Sequence, residues 1–274
     1  MAAGDIIVIS EDASGKKANL FDGTDDYVLV DAHAVARVAA NDTVGTYTAW
    51  IYMDNIATDQ VILSTGDNNS ATEYMILYVS TSGKLFCTLY HAGTQQFVVQ
   101  EDVASIEVKT WTQIAIVQDG ILPKLYINGK LVASTASTAT DTTFWYDELT
   151  GCDKFAIGVK ESNATHTFDF KGAIGQVKYW NKALTAVEML AVKRGEALSD
   201  DGTYLQLNLT MEEDGTTDAG LGADNGSLTG DAHYGGVVSD YSQAMERNVT
   251  GHAAEAINTV LDGNKTRTII KRGD

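Results

Sequence analysis

Lys124-Leu125-Tyr126-Ile127-Asn128-Gly129-Lys130-Leu131-Val132 is the stretch that decides the fold class. Two β-prone runs flank an Asn-Gly pair, and these two residue types accept positive φ at the centre of the tight turn whose twist suits paired strands. The segment is therefore read as an antiparallel hairpin. The single proline of the chain, Pro123, stands at its mouth, where no central-strand donor is lost.

Outward from that hairpin the hydrophobic period stays at two. Tyr47, Ala49, Ile51 and Met53 alternate with Thr46, Thr48, Trp50 and Tyr52. Further strands are expected over Tyr74–Ser80, Lys84–His91, Gln95–Gln100 and Trp111–Gln118, separated by Gly, Asp and Ser turns. Strands at this spacing imply a sandwich or barrel rather than a βαβ sheet. One helix interrupts the pattern. Thr185-Ala186-Val187-Glu188 has the spacing of a capping box, Leu184 is placed to staple onto Met189, Lys193 and Arg194 suit the end of the helix dipole, and Gly195 supplies the stop. A second helix is expected over Ala253–Leu261, in a tail whose composition turns basic at Lys265, Arg267, Lys271 and Arg272.

The 274 residues are 44 % hydrophobic, enough for a sizeable core, and no apolar run approaches the roughly 18 residues of a membrane span. A net charge of −18 argues against nucleic acid, whose phosphates need a basic surface, and against an anionic membrane. Cys87 and Cys152 are too few for a disulfide framework and are expected as buried thiols. Met1–Asp12 has no basic segment ahead of a long apolar one, so Ile6-Ile7-Val8-Ile9 is read as a strand and not as a secretory signal.

Several segments then line up with one pattern. Phe21-Asp22-Gly23-Thr24-Asp25-Asp26-Tyr27-Val28, Thr48-Ala49-Trp50-Ile51, Trp111-Thr112-Gln113-Ile114-Ala115, the 124–132 hairpin, and Phe170-Lys171-Gly172-Ala173-Ile174-Gly175-Gln176-Val177-Lys178-Tyr179-Trp180-Asn181-Lys182-Ala183-Leu184-Thr185 follow in order. Together they resemble the laminin-G-like, concanavalin A-like jelly rolls over Leu20 to about Arg194. The resemblance implies an all-β fold, a two-sheet antiparallel sandwich with one short helix, with Trp50, Trp111 and Trp180 at core or strand-edge positions. The expected organisation is an N-terminal β-prone arm over 1–19, the jelly roll over 20–236, and a C-terminal tail over 237–274. The segment from Glu213 to Gly230 resembles one that precedes the Phe-Asp-Gly strand in that family, whereas here it follows the helix. It is expected to close the same sandwich beside Tyr204–Leu209, since too little chain remains for a second core.

Glucanases of this architecture carry a Glu-x-Asp-x-x-Glu strand, which supplies the paired carboxyls that glycoside hydrolysis uses. Glu101, Asp102 and Glu107 have the wrong spacing, and the five histidines match no nucleophile signature. No catalytic residue is assigned. The resemblance also implies calcium at a loop rim, which needs six to eight oxygens. The acidic loops offered are Asp22, Asp25 and Asp26; Asp67 with Asn68 and Asn69; and Asp214, Asp218 and Asp224. For a sugar, Phe144-Trp145-Tyr146 is the expected stacking surface, because three consecutive aromatics on a strand cannot all face one core, and Tyr90 and His91 are placed with it. An interface patch is the competing reading of the same aromatics.

The functional expectation is a non-catalytic structural or adhesive module, a virion subunit of the phage type that decorates a capsid or tail and touches surface glycans. It would sit on a virion or extracellular surface, without a signal peptide, with other protein subunits or copies of itself as partners. Ile6–Ser10 and Thr266–Lys271 would serve as strand-adding arms. The alternatives are a calcium-dependent lectin-like module and a glycoside hydrolase without a recognisable carboxylate motif.

Overall fold

The computed structural model describes residues 18–211, 217–230, 233–235, 257–262 and 265–270. Strands are numbered in chain order and every pairing is antiparallel. The first eight-stranded sheet runs β10 (Lys130–Leu131), β9 (Lys124–Ile127), β8 (Thr112–Gln118), β3 (Gly45–Met53), β15 (Lys171–Trp180), β1 (Ala18–Asp22) and β18 (His233–Gly235), with β16 (Leu205–Leu209) beside the C-terminal half of β15. The second runs β11 (Ser134–Ala139), β7 (Thr94–Glu101), β6 (Leu85–His91), β5 (Ser70–Val79), β4 (Gln60–Asp67), β12 (Lys154–Ile157), β2 (Tyr27–Leu29) and β17 (Ser227–Thr229). A short hairpin, β13 (Lys160–Ser162) with β14 (Thr165–Thr167), lies outside both.

The core between the sheets follows from the period of two. Tyr47, Ala49, Ile51 and Met53 of β3 share one buried cluster with Leu77, Cys87, Leu89, Phe97 and Val99 of the second sheet. Each of the larger side chains contributes about 1.5–3 kcal/mol on burial. Thr46, Thr48, Trp50 and Tyr52, on the opposite face of β3, are buried as well. Part of that outer face is covered by α2 (Ala186–Lys193), whose Met189 and Val192 pack with Trp180, Leu184 and Leu205 on Ala115, Val117 and Tyr126. The Thr46 hydroxyl fastens the cover, donating to Lys182 O at 2.8 Å and accepting from Leu184 N at 3.0 Å. The capping box of α2 is formed, and Gly195 leaves the helix at φ 77°. The Asn128-Gly129 turn has φ 52° and 74°, both positive as the hairpin requires. Trp50 and Trp180 are buried, Trp111 is half-buried, and both cysteines are buried free thiols.

Several expectations are corrected. The helix expected over Ala253–Leu261 gives way to a strand, β19 (Ile257–Asp262), which pairs with β20 (Lys265–Ile270) in a separate two-stranded sheet. The β-branched Ile257, Thr259 and Val260 favour a strand when Thr266, Thr268, Ile269 and Ile270 follow as partners. The expected arm over Thr266–Lys271 is thus the second strand of a hairpin, while Ile6–Ser10 lies outside the described residues. Another helix, α1 (Asp31–Ala40), was not foreseen; it ends on Asn41 at φ 58°, and it buries His33, Ala34 and Arg37. A one-turn α3 (Asp201–Tyr204) precedes β16.

The segment after α2 closes the same sandwich. β16 pairs with β15, β17 extends the second sheet beside β2, and β18 extends the first beside β1.

Candidate functional site

Alternation sends Met75, Leu77 and Val79 of β5, and Leu85, Cys87 and Leu89 of β6, into the core. Tyr74, Ile76 and Tyr78, with Phe86, Thr88 and Tyr90, therefore face away from it. The register sets Tyr74 opposite Tyr90, Ile76 opposite Thr88, and Tyr78 opposite Phe86. The rings stack across the strands, Tyr74 on Tyr90 with centroids 4.9 Å apart and Tyr78 on Phe86 at 5.1 Å. All four rings are half-buried. β7 continues the rows with Gln95 opposite Tyr90, Val98 opposite Thr88 and Gln100 opposite Phe86. From β11 the Thr138 hydroxyl donates to Gln95 Oε1 at 2.9 Å. At the other flank Lys160 holds its Nζ 3.6 Å from the centre of the Tyr74 ring.

Burial pushes the Tyr74 phenol up to about 12, and the neighbouring Tyr90 and Tyr78 phenols add to it. Burial also raises Tyr78, opposed by its hydrogen bond with Thr88. Both phenols keep their protons across the physiological range and so both donate and accept. The face thus combines aromatic carbon with hydroxyl and amide groups.

Of the residues expected to bind a sugar, Tyr90 lies on this face. His91 and Phe144 meet at its end, their rings 5.3 Å apart, with His91 Nδ1 3.2 Å from Glu73 Oε1. Trp145 and Tyr146 are corrected, since both are fully buried. Trp145 Nε1 donates to the Tyr179 hydroxyl at 3.2 Å, and the Tyr146 and Tyr47 hydroxyls lie 2.5 Å apart. The chain turns at this point, so the strand alternation that would have forced one of them outward does not apply. Tyr74, Tyr78, Phe86 and Lys160 were missed, although aromatics four residues apart on each of two neighbouring strands were a readable signal.

The acidic loops divide. Asp22, Asp25 and Asp26 each bring a carboxylate oxygen within 4.8 Å of the others, the one such cluster among the described residues. Asp22 Oδ1 also accepts from Thr24 N, and Asp26 Oδ2 from Asp22 N, both at 2.7 Å. Asp67 Oδ1 accepts from Asn69 N at 2.7 Å, as in an Asx-turn.

Asp218 and Asp224 hold the closing loop instead of forming a carboxylate cluster, and Asp214 lies outside the described residues. Asp218 accepts from Asn208 N, Gly220 N and Asp224 N at 2.6–2.8 Å. Asp224 Oδ2 lies 3.3 Å from Nδ1 of the buried His33, whose Nε2 is 2.8 Å from the Tyr47 hydroxyl. A neutral His33 that donates from Nδ1 to Asp224 and accepts at Nε2 satisfies both contacts.

A family model described as the concanavalin A-like lectin/glucanases superfamily matches residues 22–189. No curated protein matches the chain. Among solved structures it is similar to the CBM40 module of a Ruminococcus gnavus IT-sialidase, at 19 % identity and TM-score 0.54, covering 65 % of this chain and 96 % of that one. The same module bound to α2,3 sialyllactose gives 17 % and 0.52, over 68 % and 98 %. A candidate carbohydrate-binding protein from Bacteroides ovatus gives 16 % and 0.52, over 81 % of this chain and 60 % of that one. At these identities the likeness establishes the fold.

Proposed function

This chain belongs to the concanavalin A-like lectin/glucanases superfamily, and we propose that it is a non-catalytic carbohydrate-binding module whose ligand lies on the outer face of β5, β6 and β7. The observation that carries this is the pair of ring stacks, Tyr74 on Tyr90 and Tyr78 on Phe86, set among the side chains of Thr88, Gln95, Gln100 and Thr138. Ring carbon meets the C–H faces of a pyranose, while phenols and amides satisfy its hydroxyls. The similar structures support the reading, one of them being bound to sialyllactose. These residues offer phenols, hydroxyls and amides rather than the carboxyl pair of a glycoside hydrolase.

A glycan array followed by titration calorimetry tests it. The wild-type protein is expected to bind, and Tyr90→Ala and Tyr78→Ala each to weaken binding about tenfold or more at unchanged secondary structure. An array that stays blank with and without calcium removes the reading. The calcium arm also shows whether Asp22, Asp25 and Asp26 hold a cation that the ligand needs.

A second reading makes the chain a subunit of a larger, virion-type particle at a virion or extracellular surface, self-associating through its C-terminal hairpin. It is favoured by the β19–β20 pair, because a lone two-stranded hairpin is marginal in water and gains by docking.

A further inference from the structure

We propose that Lys160 makes this face selective for anionic sugar residues, those bearing a carboxylate or a sulfate; the proposal rests on the carbohydrate-binding reading. The chain carries 37 acidic against 19 basic residues, so a cation on this surface has many carboxylates to choose from. Lys124 pairs with Asp119, Lys154 with Asp31, and Lys182 with both Glu188 and Asp200. Lys160 makes no ion pair among the described residues. Its ammonium is held over the Tyr74 ring, and burial, with no carboxylate opposing it, draws its pKa below the usual lysine value.

That position is built. Ser64 Oγ donates to Val159 O at 2.8 Å and accepts from Glu161 N at 3.2 Å, so the peptide groups on both sides of Lys160 are pinned to β4. The backbone of Lys160 is further fixed by pairing with Thr167 in the β13–β14 hairpin. A half-buried cation without a counter-charge loses hydration that the ring quadrupole replaces only in part. An anion from outside restores the balance, and it arrives beside protonated phenols that donate to it. A neutral sugar offers the ammonium no such charge.

The test uses the full chain on oligosaccharides in four arms: neutral, uronate- or sialate-bearing, the carboxyl-reduced counterparts of these, and O-sulfated. The wild type is expected to prefer the carboxylated or the sulfated arm, and the array tells which. Carboxyl reduction or desulfation of the bound ligand, or Lys160→Met, should weaken binding about 10- to 100-fold, with Lys160→Arg retaining most of it. Raising the salt concentration should weaken it too. If neutral and anionic ligands bind alike and Lys160→Met changes nothing while Tyr90→Ala abolishes binding, the selectivity is overturned and the carbohydrate reading stands. If the wild type binds no glycan, both fall. Should Lys160→Met not fold, the modified ligands on the wild-type chain still decide.

Discussion

His33 sits at 0 % exposure among Tyr47, Tyr146, Phe155 and Tyr179, with Asp224 on its Nδ1 and the charges of Arg37 and Asp218 nearby. Burial, ahead of the opposing hydrogen bond to Asp224, lowers its pKa below 6.5. The unfolded chain therefore binds this proton more readily than the folded one. Its stabilising contribution is full above about pH 6.5 and is lost as the pH falls toward the folded value, by up to about 1.4 kcal/mol per unit. Glu148 works in the other direction. Burial and the adjacent Asp147 push it up to about 7, so its contribution is full below the ordinary carboxylate pKa and is lost as the pH rises through about 7. Thermal melts between pH 5 and 7 should consequently show a shallower acid-side loss in His33→Gln than in the wild type. Equal slopes would mean that His33 does not titrate across unfolding. At this scale the sequence displayed the oxygens of Asp218 and Asp224 but not the N–H groups they face, which is why they resembled a cation site.

The elements that could be read in advance are those governed by neighbours in sequence. Thr185 accepts from Glu188 N at 3.3 Å, and Glu188 Oε2 accepts from Thr185 N at 2.7 Å. Thr185→Ala removes the first of these, and urea unfolding should show a loss of about 1 kcal/mol; an unchanged midpoint would mean that packing alone holds α2. The Asn128-Gly129 turn was legible for the same local reason. α1 was not, although Asp31, five alanines and Asn41 are good helix chemistry. Two of the three residues it buries, His33 and Arg37, are polar, so the apolar stripe of Ala34 and Val38 is interrupted and does not mark the helix in sequence. The strand at Ile257–Asp262 was misread in the opposite sense, its pairing with Lys265–Ile270 outweighing its resemblance to a helix.

For the whole molecule, the sandwich was legible because one ordered set of segments spans both sheets, and the displaced closing segment takes up edge positions in each. The aromatic face was harder to see. β5 and β6 are apolar on both sides, and only the register separates the core residues from Tyr74, Tyr78, Phe86 and Tyr90. If the C-terminal hairpin joins subunits, removing residues 257–274 should leave the melting temperature of the sandwich nearly unchanged and reduce the mass seen by light scattering. A truncated chain with the full-length oligomeric state would exclude that role. The pairing of Ala18 with Gly235 carries a mechanical consequence. Ala18, the first residue of β1, and Gly235, the last of β18, face each other across one antiparallel ladder. Tension applied between these two residues therefore loads the hydrogen bonds of β1 and β18 in succession, like a zip, and not all together in shear. Pulled at this pair, the sandwich would begin to open at this edge, one bond at a time.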